Sequence, residues 1–270
     1  MNCRTMFCVL TLTLIANVPA AVAAQKGAQA EETRNAFLIS RKKASDSKPS
    51  RSTNIRRRQP IGALGIGYTL YQKDASDKPV RALLSQEFRE GDAVRLVIEA
   101  NTDGYLYVFH SENDGASRMI YPDVRLNGGD NRIRAHVPCE VPSRKEADRR
   151  FRWYYFDEKP TTERLYIAVT RKPLPGVLTR EALVAHCRAN PQGCPWRPAS
   201  ATWNMLVAHA KEPTLVSLDR TSGQALTEVE GDAVERGLGL PADAPAPSVV
   251  KISASPKAGM LFTIVDLIHK

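Results

Sequence analysis

Residues 103–122 read DGYLYVFHSENDGASRMIYP, and this stretch decides the fold. From Gly104 to His110 aromatic and aliphatic side chains alternate with almost no polar relief. Asn113-Asp114-Gly115 is a turn signal, and the second apolar run, Met119-Ile120-Tyr121, stops at Pro122. Together they spell a β-hairpin whose first strand is buried on both faces. The parts nearest solvent are then the turn and the exit, so Asp114 and Tyr121 are the hairpin's candidates for contact with a partner.

The flanking segments extend the pattern. Ile66, Tyr68 and Leu70 alternate within 65–72, and Val94, Leu96 and Ile98 within 93–100. Ile133, Ala135 and Val137 are expected to face inward and Arg132, Arg134 and His136 outward. Residues 151–156 read as an aromatic strand and 163–170 as another. About seven short strands with turn chemistry between them predict a mainly β protein, an antiparallel β-sandwich. The aromatic set Tyr105, Tyr107, Phe109, Tyr121, Trp153 and Tyr155 is expected on one inner face of it. After Pro175 the period changes. A helix capped by Thr179 and a second over 199–210 predict a small α-helical insertion at 176–212. Residues 220–247 read as loop. The C-terminal strands of 214–270 end in a hairpin, 249–254 with 260–268, around Pro256-Lys257-Ala258-Gly259.

Residues 1–23 read as a signal peptide: Arg4, an apolar run from Phe7 to Val18, and a small-x-small site at Ala21-Val22-Ala23. The expected localisation is periplasmic or secreted, with no transmembrane segment after cleavage, since no other run of about 18 apolar residues exists. The formal charge is +9, but residues 24–60 hold ten Lys and Arg against three acids. The basicity therefore belongs to a segment expected to be a disordered tail, and 61–270 is the β-sandwich domain. Of the cysteines beyond the cleavage site, Cys187 and Cys194 flank a turn-rich stretch and are the disulfide candidates. Cys139 is left over, although sequence leaves every pairing open.

The stretch from Gly65 to Leu174 resembles a bacterial family known as domain of unknown function 4384. The resemblance rests on Phe88-Arg89-Glu90-Gly91-Asp92, Asp103-Gly104-Tyr105-Leu106-Tyr107-Val108, Ile120-Tyr121-Pro122, Asn131-Arg132-Ile133, Val137-Pro138, Glu163-Arg164-Leu165 and Arg171-Lys172-Pro173. One departure is Pro160-Thr161-Thr162, where the family has a Pro-Gly pair. The resemblance implies a sandwich-like domain in bacterial envelope or secreted proteins, and implies no reaction.

No local motif supplies one. None of His110, His136, His186, His209 and His269 sits in a His-Glu-x-x-His frame, and there is no Gly-x-Ser-x-Gly elbow. Gly62 to Gly67 lacks the Lys-Ser/Thr of a phosphate loop. No catalytic, metal or cofactor residues are assigned. The expected function is a non-enzymatic module that binds a protein or cell-envelope component. One alternative is an envelope hydrolase using a His/Asp or Cys/His site. The other is a polyanion binder working through residues 41–58, with Arg56, Arg57 and Arg58 as contacts for an anionic surface. A nucleic-acid site is disfavoured because no aromatic residue interleaves with those arginines.

Overall fold

The computed structural model describes residues 20–46, 62–113 and 115–270. In chain order its elements are α1 (Ala20–Asp46), β1 (Gly65–Lys73), β2 (Pro79–Arg81), β3 (Glu87–Phe88), β4 (Ala93–Ala100), β5 (Gly104–Glu112), β6 (Arg118–Tyr121), β7 (Arg132–Ile133), β8 (Cys139–Val141), β9 (Tyr154–Tyr155), β10 (Thr162–Thr170), α2 (Arg180–Ala189), α3 (Ser200–Ala208), β11 (Thr214–Leu218), α4 (Glu228–Arg236), β12 (Val249–Ser253) and β13 (Met260–His269). The strands form two sheets. The first runs β11-β12-β1-β4-β8, with β2 beside β1 and β9 beside β4. The second runs β3-β13-β10-β5-β6, with β7 beside β5. Neighbours are antiparallel throughout the described residues, except that β3 lies parallel to β13.

The sheets pack face to face over an aliphatic core. Ile66, Leu70, Leu96 and Ile98 come from the first sheet; Leu106, Val108, Ile167, Val169 and Leu261 come from the second. The fold is therefore the expected mainly β sandwich, and β5 is buried on both faces as its sequence predicts. Its aromatics, however, do not enter the inter-sheet core. Tyr107 and Phe109 point to the opposite face of the second sheet, beside Tyr166 of β10 and Phe262 of β13. The helical insertion covers that face with Leu183 of α2, Leu206 of α3 and the intervening Trp196. Trp203 of α3 stands edge-on to both Tyr166 and Phe109, at 4.7 and 5.5 Å between ring centroids. Burying each such aromatic contributes roughly 1.5–3 kcal/mol. Gly104 is demanded by the strand next door, because a Cβ there would run into the carbonyl oxygen of Thr170.

Within the segment expected to be disordered, residues 24–46 are helical. Residues 20–46 form one helix, α1, packed on the outer face of the first sheet; residues 47–60 lie outside the described residues, as do 1–19. Phe37 is fully buried against Val250 and Ile252. Its ring rests on Gly65 and Gly67, where a Cβ would come within 3.2 and 3.1 Å of it. The glycine-rich stretch is thus a flat seat for an aromatic ring. Arg41, four residues on, is fully buried too. Its Nε and Nη2 donate to the Glu99 carboxylate at 2.9 and 2.6 Å, and its Nη1 to the Ala244 carbonyl at 2.8 Å. This pairing spans 58 residues of sequence, so local composition could not reveal it.

Smaller corrections have local causes. The strand expected over 131–137 is only two residues long. The chain turns at His136, whose φ is 58°, and His136 is buried rather than outward-facing. Of 151–156 only Tyr154–Tyr155 is strand, after a short 3-10 turn at Arg149–Phe151 capped by Asp148. The loop expected over 220–247 contains α4, closed by a capping box between Thr227 and Glu230. The two C-terminal strands form but make no hairpin with each other: β12 joins β1 and β11 in the first sheet, and β13 joins β10 and β3 in the second. The Pro256–Gly259 stretch therefore bridges the sheets.

Replacing Arg41 with Ala leaves the buried Glu99 short of its guanidinium, and the expected cost is about 3–5 kcal/mol in denaturant unfolding. Arg150→Ala, which removes a partner of Asp148 at an exposed site, should stay within about 1 kcal/mol of the parent.

Candidate functional site

The sandwich is open along one side, where β6 ends the second sheet and β8 ends the first. A cavity of about 500 Å³ lies there, walled by β6 and Pro122 on one side, by Val141 and Pro142 on another, and by Phe151, Trp153 and Tyr154 on a third. The fourth wall belongs to the helical insertion, through the Cys187–Cys194 disulfide and Trp196. A second cavity of about 240 Å³ adjoins the first, with Arg118, Ile120 and Tyr154 lining both; the two make up the groove of the open side.

The charged side chains around the groove are largely paired with one another, which stiffens its walls. Arg95 lies 4.1 Å from the Trp153 ring centre and donates to the Arg152 carbonyl at 3.0 and 2.6 Å. Glu140 accepts from Arg144 at 2.8 Å and lies 3.6 Å from Arg95. Arg125 stacks 4.6 Å from the centre of Phe151 while donating to Asp123 at 3.0 Å. Glu146 is buried, and its Oε2 sits 3.3 Å from Arg125 Nε without a hydrogen bond.

The second cavity carries a histidine–carboxylate pair. His110 Nε2 makes a short bond to Glu163, and Thr161 donates to the same carboxylate at 2.6 Å. Burial pulls the Glu163 pKa upward, but the His110 and Thr161 hydrogen bonds outweigh it and hold the group below its ordinary value. The order is hydroxyl, carboxylate, imidazole. With the carboxylate in the middle, Thr161 cannot pass its proton to His110, so the trio is no nucleophile-activating triad.

A nucleophile–base–carboxylate order does occur elsewhere. Ser40 lies 2.8 Å from His136 Nε2, and His136 Nδ1 lies 2.6 Å from Glu99. There the Ser40 hydroxyl donates to the Phe37 carbonyl at 2.6 Å, Arg41 shares the carboxylate, and neither groove cavity reaches the site. The cluster fastens α1 to the first sheet. The two ring nitrogens of His136 are thereby engaged by Ser40 and Glu99, not by Cys139, which would be one instance of a Cys/His pair. The Cys139 thiol meets the Tyr121 hydroxyl instead, and burial pushes it up to about 11. A thiol so raised is a poor nucleophile near neutral pH.

Of the residues singled out from sequence, the groove gathers Tyr121, Trp153, Tyr155, Cys187, Cys194 and His110. The disulfide candidates are bonded, with 5.6 Å between their Cα atoms. Tyr121 is half-buried, and burial beside Cys139 holds its hydroxyl pKa well above the ordinary value. Asp114, Arg56, Arg57 and Arg58 lie outside the described residues. Arg41 is buried in its pair with Glu99 and is not available to an anionic surface. Trp153, expected within the sandwich core, lines the groove instead; Arg118, Phe151 and Glu146 carry no mark in the sequence, because the groove draws on separate segments and no spacing within any one of them marks it.

Residues 87–173 match a family model described as Domain of unknown function (DUF4384). Residues 87–173 belong to that family. The DUF4384 region runs from β3 to β10, so it holds the opening hairpin and three of the four groove walls. The strands β1, β12 and β13 that complete both sheets lie outside it, as does the disulfide wall. No curated protein and no solved structure matches the chain. No described helix is long and apolar enough to cross a membrane.

The buried thiol sets a pH dependence. The unfolded chain can form the Cys139 thiolate above about pH 9, the folded chain only above about 11. Within that window the unfolded state binds fewer protons, so stability must fall as pH rises. Unfolding followed from pH 8 to about 10 should show this loss in the parent, and Cys139→Ala should lessen it there; at higher pH the buried Tyr68 and Tyr121, whose hydroxyls are raised as well, add a loss of the same sign.

Proposed function

We propose that this protein is a secreted or periplasmic binding module that takes a segment of a protein or cell-envelope component into the groove along the open side of its sandwich. The observation carrying the reading is the groove itself: about 500 Å³, concave, lined mainly by aromatic and apolar side chains together with a few charged ones, Glu140 and Glu146 buried among them. Binding sites commonly have this make-up. The walls come ready-formed, with Trp153 held by Arg95 and Phe151 by Arg125, which lowers the ordering cost on association. The compartment is argued from the signal-like residues 1–23 and from the Cys187–Cys194 disulfide, a bond that oxidising compartments favour.

The His110–Glu163 pair favours a second reading, an envelope hydrolase in which His110 activates water in the smaller cavity. The two readings separate on His110→Ala, which abolishes hydrolysis under the second and leaves capture of the partner intact under the first.

A photocrosslinking side chain at Phe151, which is 47% exposed on the groove wall, tests the first reading. Expressed in the source cells, it should trap a defined partner that the same group at Val229, exposed on α4, does not trap. The purified partner should then bind the Phe151→Ala, Arg118→Glu double variant at least about tenfold more weakly than the parent, as expected when an aromatic anchor is truncated. Equal trapping at 151 and 229, or unchanged affinity in the double variant, would remove the groove from consideration.

A further inference from the structure

We infer that β11 pairs with β11 of a second copy of this chain, antiparallel and centred on Val216, so that the first sheets of two molecules join into one. β11 ends its sheet; it pairs with β12 and with no other described strand. Leu215, Val216 and Leu218 are 36, 43 and 54% exposed, an unusual load of apolar surface for a five-residue edge strand. In register Val216 stands opposite Lys251 and Leu218 opposite Val249, and directly opposed residues share a face. Lys251 reaches across to Thr263 in the second sheet at 2.5 Å, and Val249 belongs to the inter-sheet core. Val216 and Leu218 therefore lie on the inner side of the first sheet, overhanging the second. Edge strands normally carry a Lys, a Pro or a bulge against unwanted pairing. Thr214–Leu218 carries none of these; α1 packs across the outer face of β11, where Arg34 bonds Ser217 and Asp219, and the backbone edge beyond β11 pairs with no described strand.

The sequence around β11 is complementary to itself. Antiparallel pairing about Val216 sets Val216 against its own copy and Thr214 against Leu218. Carried two residues further, it sets Glu212 against Arg220 at both ends. Glu212, in extended conformation, and Arg220 are both exposed; the Glu212 carboxylate also meets His209 Nδ1 at 2.6 Å, a contact at the surface that leaves its second oxygen for Arg220. Opposite charges directly across a ladder stabilise it, and like charges oppose it. A centre moved to Leu215 would set Glu212 against Leu218 and lose both charge pairs, so the charges select one register. The occupant that fits this edge is a second copy.

Sedimentation velocity on the full chain should show a monomer–dimer equilibrium in the micromolar range. Val216→Lys sets two ammonium groups face to face at an exposed site and should weaken the dimer by about tenfold or more, with an unchanged circular dichroism spectrum. Glu212→Arg should weaken it as well, and Glu212→Arg combined with Arg220→Glu should restore it. In a background with Cys3, Cys8 and Cys139 changed to Ser, Val216→Cys should give a disulfide-linked dimer on mild oxidation. A chain that stays monomeric across that range overturns the inference, as does a dimer indifferent to Val216→Lys or a charge exchange that fails to restore. The groove takes no part in this test, so its result stands apart from the binding proposal.

Discussion

The second sheet has two apolar faces, and the rest of the architecture follows from covering both. Alternation along β5 sends Leu106 and Val108 to one side and Tyr107 and Phe109 to the other. One side is answered by the first sheet. The other needs a separate lid, which the insertion between Leu174 and Pro213 provides through Trp196, Trp203 and Leu206. The lid does not end flush with the sheet: Trp196 continues past it, and its carbonyl accepts from Met119 of β6 at 2.8 Å. The disulfide beside it completes the fourth wall of the groove. The candidate binding site is thus a consequence of how a two-faced sheet is sealed.

The first sheet has the same problem on a smaller scale, and α1 solves it differently. Here one aromatic ring is seated on two glycines and one guanidinium is buried against Glu99. A buried ion pair of this kind is weak evidence of stability but strong evidence of placement, since removing either partner strands the other. His136 and Ser40 extend the same network. What has the order of a catalytic triad acts here as a fastening, because the carboxylate is shared with Arg41 and the serine proton is committed to the Phe37 carbonyl.

Elements whose pattern is local were legible in the sequence. The long strands β1, β4, β5 and β10 and the helices α2 and α3 all carry clear periodicity, and the Cys187–Cys194 bond closes across a short turn-rich stretch. The capping box of α4, Thr227-x-x-Glu230, was equally local and was overlooked among the surrounding glycines and prolines. What depends on distant partners was not legible. Arg41 reads as a solvated charge until Glu99 is brought beneath it, His136 reads as outward until the backbone turns at positive φ, and the aromatic face of β5 reads as sandwich core until the insertion folds over it. At the groove, Tyr121 could be named from its place at a hairpin exit. Arg118, Trp153 and Glu146 acquire meaning only when β6, β8 and the 149–155 segment meet.

The central claim, that the open side of the sandwich is where this protein binds, is tested most directly by hydrogen exchange on the full chain with and without its captured partner. New protection is expected in 118–126 and 140–154, the segments that wall the groove, and no change in the backbone of 93–100 beyond that of the free protein. Protection confined to other surfaces, with 118–126 and 140–154 exchanging as in the free chain, would contradict it.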